Sequence, residues 1–149
     1  AYVGCYMTAK YPEKVKSLIT IGGGAYPRAD SAADFLPENL INSNNTDFIE
    51  DIKLRHYEAH KGDWETYLRK TVSDWQSHPS LTEEEWAAIK CPAFFINGEN
   101  DPFGTCAELL EKVPAAKAYE VKGGGHHPHF VGEQIEEINA MMLEFLSAI

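Results

Sequence analysis

The sequence predicts an α/β protein built on a parallel sheet, with an all-helical insertion in its middle. Three observations predict it. Apolar or β-branched runs at residues 14–21, 93–97 and 117–121 each lead into a Gly-marked loop. Helical patterns flank and separate these runs. Residues 25–86 hold no such run and carry helix periodicity instead. Strands alternating with helices imply parallel pairing through crossover connections.

Residues 1–11, AYVGCYMTAKY, read as a helix of small and apolar side chains without an N-cap, ended by Pro12 and Glu13. Residues 14–21, KVKSLITI, read as a buried strand stopped by Gly22-Gly23-Gly24. Residues 25–45, with Pro27, Pro37 and the run INSNN, read as a connection with one short helical turn. Thr46 or Asp47 caps a helix over 48–60, with Phe48, Ile52 and Tyr57 on one face. Lys61-Gly62 breaks it. Asp63 then caps a helix over 64–76, on which Trp64, Leu68, Val72 and Trp75 align. Thr82 and Glu85 have capping-box spacing at the head of a short third helix.

The α/β rhythm resumes with a strand at 93–97, a helix at 105–113 carrying Leu109, Leu110 and Val113, and a strand at 117–121. A last helix over 133–148 turns Ile135, Ile138, Met142, Phe145 and Ile149 to one side. The core is thus residues 1–24 and 87–149, with residues 25–86 as the insert. A parallel sheet needs its faces and most edges covered. Three strands leave an open edge, so a preceding segment or another chain is expected to complete the sheet.

The formal net charge is −10, and the Lys and Arg residues are scattered. No basic stripe offers itself to nucleic acid or to an anionic membrane. Three cysteines without a C-x-x-C spacing read as reduced thiols in a cytoplasmic setting. No apolar run approaches the ~20 residues of a membrane-spanning helix. Gly22-Gly23-Gly24 lacks both the dinucleotide fingerprint and the Lys-Ser/Thr of a phosphate loop. It reads as the point where the chain leaves the sheet for the insert. No cofactor is expected, and the expected partner is a small-molecule substrate.

The chemistry sits in two loops. Residues 91–103, CPAFFINGENDPF, place Asp101 just after a strand; residues 121–130, VKGGGHHPHF, place His126 just after another. A hydroxyl is a weak nucleophile until a base takes its proton. His126 is the candidate base and acid, and Asp101 the candidate group that fixes its tautomer. Acid before histidine matches the order nucleophile, acid, base. Rival readings exist. Asn-Asp-Pro is also an ordinary turn, and Glu99 competes for the acid role but is expected to face solvent. His126, His127 and His129 with Asp101 could hold a metal. Cys106 at a helix start could be a catalytic thiol. The aromatic residues Phe35, Phe48, Tyr57, Trp64, Tyr67 and Trp75 either pack the insert's own core or line an apolar pocket between insert and sheet.

Four segments together resemble the α/β-hydrolase superfamily. They are YPEKV followed by SLITI (11–15, 17–21), IKCP with FFINGENDP (89–92, 94–102), GGGHHPH (123–129), and residues 138–146. The resemblance runs from Ala1 to Ile149, in family order. It implies a three-layer sheet of the hydrolase type, of which only the C-terminal strands are present, with the helical insert as a cap. It implies a serine-type hydrolase of a small ester, lactone or amide. Asp101 is its acid and His126 its base, with no metal. The departure is the nucleophile: no Gly-x-Ser-x-Gly occurs, and the elbow, the oxyanion hole and about five strands would precede Ala1. The chain is then expected to be a fragment that is inactive alone. A non-catalytic ligand-binding module and a half-domain completed by another chain are the alternatives.

Overall fold

The computed structural model describes residues 1–25, 31–78, 80–129 and 134–149. The chain divides into two compact units, residues 1–26 with 80–149, and residues 27–79. No helix among the described residues is long and apolar enough to cross a membrane.

The first unit contains a three-stranded sheet, β1 (Leu18–Ile21), β2 (Ala93–Gly98) and β3 (Lys117–Val121), in the order β1-β2-β3. Both pairings are parallel, with Leu18 opposite Ala93 and Ile96 opposite Tyr119. Alternate side chains of a strand point to opposite faces, and β2 uses both. Phe95 enters a cluster with Cys5, Ala9, Leu18, Trp86 and Leu109. Phe94 and Ile96 enter another with Val121, Ile138 and Phe145. The first cluster rests on α1 (Tyr2–Lys10), α6 (Glu83–Ala87) and α7 (Cys106–Lys112); the second rests on α8 (Ile135–Ser147). The unit is therefore a helix–sheet–helix sandwich of three layers. Every residue of β2 is buried, and each large apolar side chain there stabilises the fold by about 1.5–3 kcal/mol.

Several elements differ from their sequence-based bounds. The first strand is shorter, because Pro12 starts a 3₁₀ turn that holds Lys14 and delays extension to Leu18. The short third helix, α6, was expected in the insert. It packs instead in the first unit, where Trp86 is 2% exposed and Tyr2 Oη accepts from Leu81 N–H. Thr82 and Glu85 make both bonds of the capping box. Glu133, the expected first residue of the last helix, lies outside the described residues, and Ile149 is 55% exposed rather than inward.

The second unit is all-helical: a 3₁₀ turn at Ala32–Phe35, then α2 (Pro37–Asn42), α3 (Thr46–Arg55), α4 (Tyr57–His60) and α5 (Trp64–Ser77). The helix expected over 48–60 is two helices that meet at His56, where φ is −107°. Its N-cap position is Asn45 rather than Thr46 or Asp47, with no side-chain bond. Tyr57 is exposed, and Ile49 joins Ile52 inside. The break at Lys61-Gly62 is a pair of positive φ angles, 51° and 100°. Asp63 then caps α5 by accepting from Thr66 N–H at 3.1 Å. Leu40, Ile49, Ile52 and Leu68 form the core, with Phe48, Trp64 and Tyr67 against it. Phe35 packs on both Phe48 and Trp75, at centroid distances of 5.3 and 5.4 Å. These aromatic contacts lie inside the unit, as its own core requires.

Candidate active site

All three parallel strands discharge their chains at the same end of the sheet. β1 ends in Gly22-Gly23-Gly24, β2 in the loop carrying Asp101, and β3 in the loop carrying His126. The two candidate side chains meet there. His126 Nδ1 lies 3.0 Å from Asp101 Oδ1 and 3.1 Å from Oδ2. A carboxylate only accepts, so Nδ1 carries the proton and donates. In the neutral ring the lone pair is then on Nε2, the nitrogen a general base uses. The His126 side chain is 35% exposed, whereas that of Asp101 is fully buried. A half-open base backed by a closed acid is an arrangement suited to proton transfer at the surface of the sheet.

Asp101 keeps its charge in the interior through donors. Burial alone raises its carboxyl, but bonds from His126, Gly23 N–H at 2.7 Å and Phe103 N–H at 2.9 Å outweigh it. The balance holds Asp101 below the ordinary carboxylate range. The Phe103 ring meets the His126 ring edge-on, 4.6 Å between centroids, and fixes the imidazole plane from one side. Gly22, at φ +71°, lets β1 pass beneath the histidine. A Cβ there would collide with the His126 carbonyl oxygen and lie 2.8 Å from its Nδ1.

The model of the alpha/beta hydrolase family matches residues 2–140. The chain belongs to that family. Solved structures of similar fold include BpoC of Mycobacterium tuberculosis H37Rv, a candidate non-heme bromoperoxidase. It has a TM-score of 0.66 and 17% identity, with 99% of this chain and 63% of that one covered. The enol-lactonase of Burkholderia xenovorans LB400 has a TM-score of 0.58 and 18% identity, with 97% and 61% covered. CarC, a serine hydrolase involved in carbazole degradation, has a TM-score of 0.61 and 18% identity, with 99% and 60% covered. This hydrolase-family chain thus spans under two thirds of the length of each, between 60% and 63%. At these identities the likeness is one of fold. No curated protein sequence matches the chain.

The other sequence candidates take different places in this member of the family. Glu99 is exposed and accepts from Gly123 N–H at 2.8 Å, so it clamps the histidine loop rather than the imidazole. The His126 and His127 rings lie 4.6 Å apart, and His127 and His129 6.3 Å apart. Among the described residues no group of three or more His, Cys, Asp or Glu is arranged to hold a metal ion. Burial and the neighbouring His126 both keep His129 below the ordinary imidazole range. Cys106 does begin α7, but its thiol lies under the sheet, 3.6 Å from the Phe95 and Tyr119 carbonyl oxygens. Burial pushes that thiol up, against the lowering that a helix start suggested. Two participants were not foreseen: the Gly23 N–H and the Asn97 side chain, which is 0% exposed. Gly23 acts through its backbone and leaves no mark in sequence. Asn97 does leave one, as the single amide in the apolar run AFFIN.

Proposed function

We propose that this chain carries the acid, Asp101, and the general base, His126, of a serine-type hydrolase acting on a small ester, lactone or amide. The observation that carries the reading is the closed Asp101 carboxylate bonded to His126 Nδ1, with the ring half exposed. His126 takes the proton of a hydroxyl nucleophile and later returns it to the leaving group. The positive charge that forms on the imidazole is stabilised by Asp101, which stays ionised. No metal or cofactor has a part in these steps.

The nucleophile belongs to a segment outside these 149 residues, since no Gly-x-Ser-x-Gly occurs in them. Two surfaces support that. Among the described residues β1 pairs only with β2, which leaves its other edge open. Val3, Met7 and Tyr11, one turn apart along α1 and just past its end, are 64%, 44% and 45% exposed. A strand laid along β1 would cover both and bring its end near His126. The helical unit is the cap insertion of the hydrolase reading, and three free thiols fit a cytoplasmic protein.

Turnover of p-nitrophenyl acetate tests the reading. The 149-residue chain alone is expected to give none. Assembled with the nucleophile-bearing segment it is expected to be active, and His126→Ala to lower kcat by about 10⁶-fold. Turnover by the chain alone that disappears in His126→Ala would place the nucleophile inside it. An assembled enzyme indifferent to His126→Ala would remove the role of the pair.

A further inference from the structure

We propose that Asn97 is a positioning residue: its buried amide bolts the exit of β1 to the acid loop and thereby sets the Asp101 carboxylate on His126. The proposal rests on the hydrolase reading only for the use to which the pair is put.

Asn97 is the penultimate residue of β2 and fully buried. Its Nδ2 lies 2.6 Å from the Gly23 carbonyl oxygen and 3.0 Å from that of Gly104. An amide nitrogen has two protons, and these two contacts use both. Asp101 Oδ2, at 3.4 Å, is a long third neighbour. Both strong acceptors are carbonyls, so the amide orientation follows from chemistry: reversed, its oxygen would face two oxygens. Oδ1 is left facing the Cys106 thiol at 3.9 Å.

The two bonded carbonyls belong to the segments that build the acid's surroundings. The Gly23 peptide gives its oxygen to Asn97, and Gly23 N–H donates to Asp101 Oδ2 at 2.7 Å. Gly104 follows the turn in which Phe103 N–H donates to Asp101 Oδ1. Backbones meet here without side chains between them, since a Cβ on Gly104 would collide with the Gly24 Cα. Glycine segments have no side chains to fix their mutual position, so the Asn97 amide supplies the register. It touches neither the imidazole nor any space open to substrate. Its effect on His126 runs through Gly23 N–H and the acid loop.

Nuclear magnetic resonance on the protein tests this without turnover. In the unmodified chain the Asn97 amide protons should show couplings across hydrogen bonds to the Gly23 and Gly104 carbonyls, and slow exchange. The His126 Nδ1 proton should appear as a downfield resonance, with the ring in the Nδ1–H tautomer. Asn97→Leu, close in shape but without a donor, should abolish that resonance or speed its exchange at least tenfold. Phe95→Leu, equally buried on the same strand, should lower thermal stability and leave the resonance intact. In the assembled enzyme Asn97→Leu should lower kcat about 100-fold with KM unchanged.

A folded Asn97→Leu that keeps the resonance and its exchange rate overturns the proposal. If that variant does not fold, the couplings in the unmodified chain decide: present, they support the bolt, and absent, they overturn it. Loss of the resonance in Asn97→Leu beside an unmodified assembly without turnover would instead count against the hydrolase reading alone.

Discussion

Gly22 offers a measurement that isolates how tightly the histidine is seated. Gly22 and Gly123 have nearly the same backbone, with φ of +71° and +69°. A Cβ on Gly123 meets nothing within 4 Å, whereas one on Gly22 runs into the His126 backbone and its Nδ1. Alanine at either position pays left-handed strain of roughly 1–2 kcal/mol. Both variants share the same restriction of the unfolded chain. Only Gly22→Ala adds overpacking, about 1–3 kcal/mol. It also displaces the ring far enough to break the bond to Asp101, a charge-assisted bond of about 1.5–3 kcal/mol. Gly22→Ala should therefore cost about 2.5–6 kcal/mol more than Gly123→Ala. For a chain of this size that separates their melting temperatures by about 5–25 °C. Thermal unfolding followed by circular dichroism gives the difference, and the downfield His126 proton should vanish in Gly22→Ala alone. Equal melting temperatures, or a preserved resonance in Gly22→Ala, would refute the close seating of the imidazole over β1.

Two further outcomes follow from the same geometry. Asp101→Asn places an amide N–H₂ against existing donors and should cost about 1.5–3 kcal/mol at neutral pH. Because the folded Asp101 carboxyl lies below its ordinary value, its stabilisation is present above about pH 4 and lost as pH falls through the lower folded value. Urea titrations of the two proteins should therefore converge in acid, and a gap that persists there would be inconsistent with an ionised Asp101. Thr82→Ala removes the bond at 3.2 Å to Glu85 N–H and half of a capping box. It should destabilise α6 by about 1 kcal/mol, read as the same shift in unfolding free energy, with no change at His126.

The elements most legible in the sequence were those whose local chemistry agrees with their burial. The run AFFIN predicted β2 because it is apolar on both faces, and both faces are covered. Asp63 and Thr82 predicted their caps because the donor each satisfies lies three residues on. The helix over 48–60 was misread because Tyr57, assigned to its inward face, is 54% exposed. Apolar side chains left outside mimic an inward face. In the candidate site, the pairing of Asp101 with His126 was legible because residue type and order pointed to it. Gly23 was not, because its contribution is a main-chain N–H that any residue but proline possesses. Asn97 looked like the fading end of a strand. Only the meeting of β1 with the acid loop gives its amide two carbonyls to hold.

The parallel pairing of β1 with β2 bears on how freely the chain between them can change. Residues 22–92 lie between these strands, and closing a loop costs entropy that grows only with the logarithm of its length. Doubling that stretch would cost roughly 0.6 kcal/mol. The contact of Gly23 with Asp101 spans 78 positions and pays nearly the same closure cost whatever helices intervene. Asp101 and His126, 25 positions apart, are bridged by α7 and β3 alone and do not feel that length at all. The helical unit can therefore lengthen, shrink or be replaced over generations at little thermodynamic penalty while Asp101 and His126 keep their geometry.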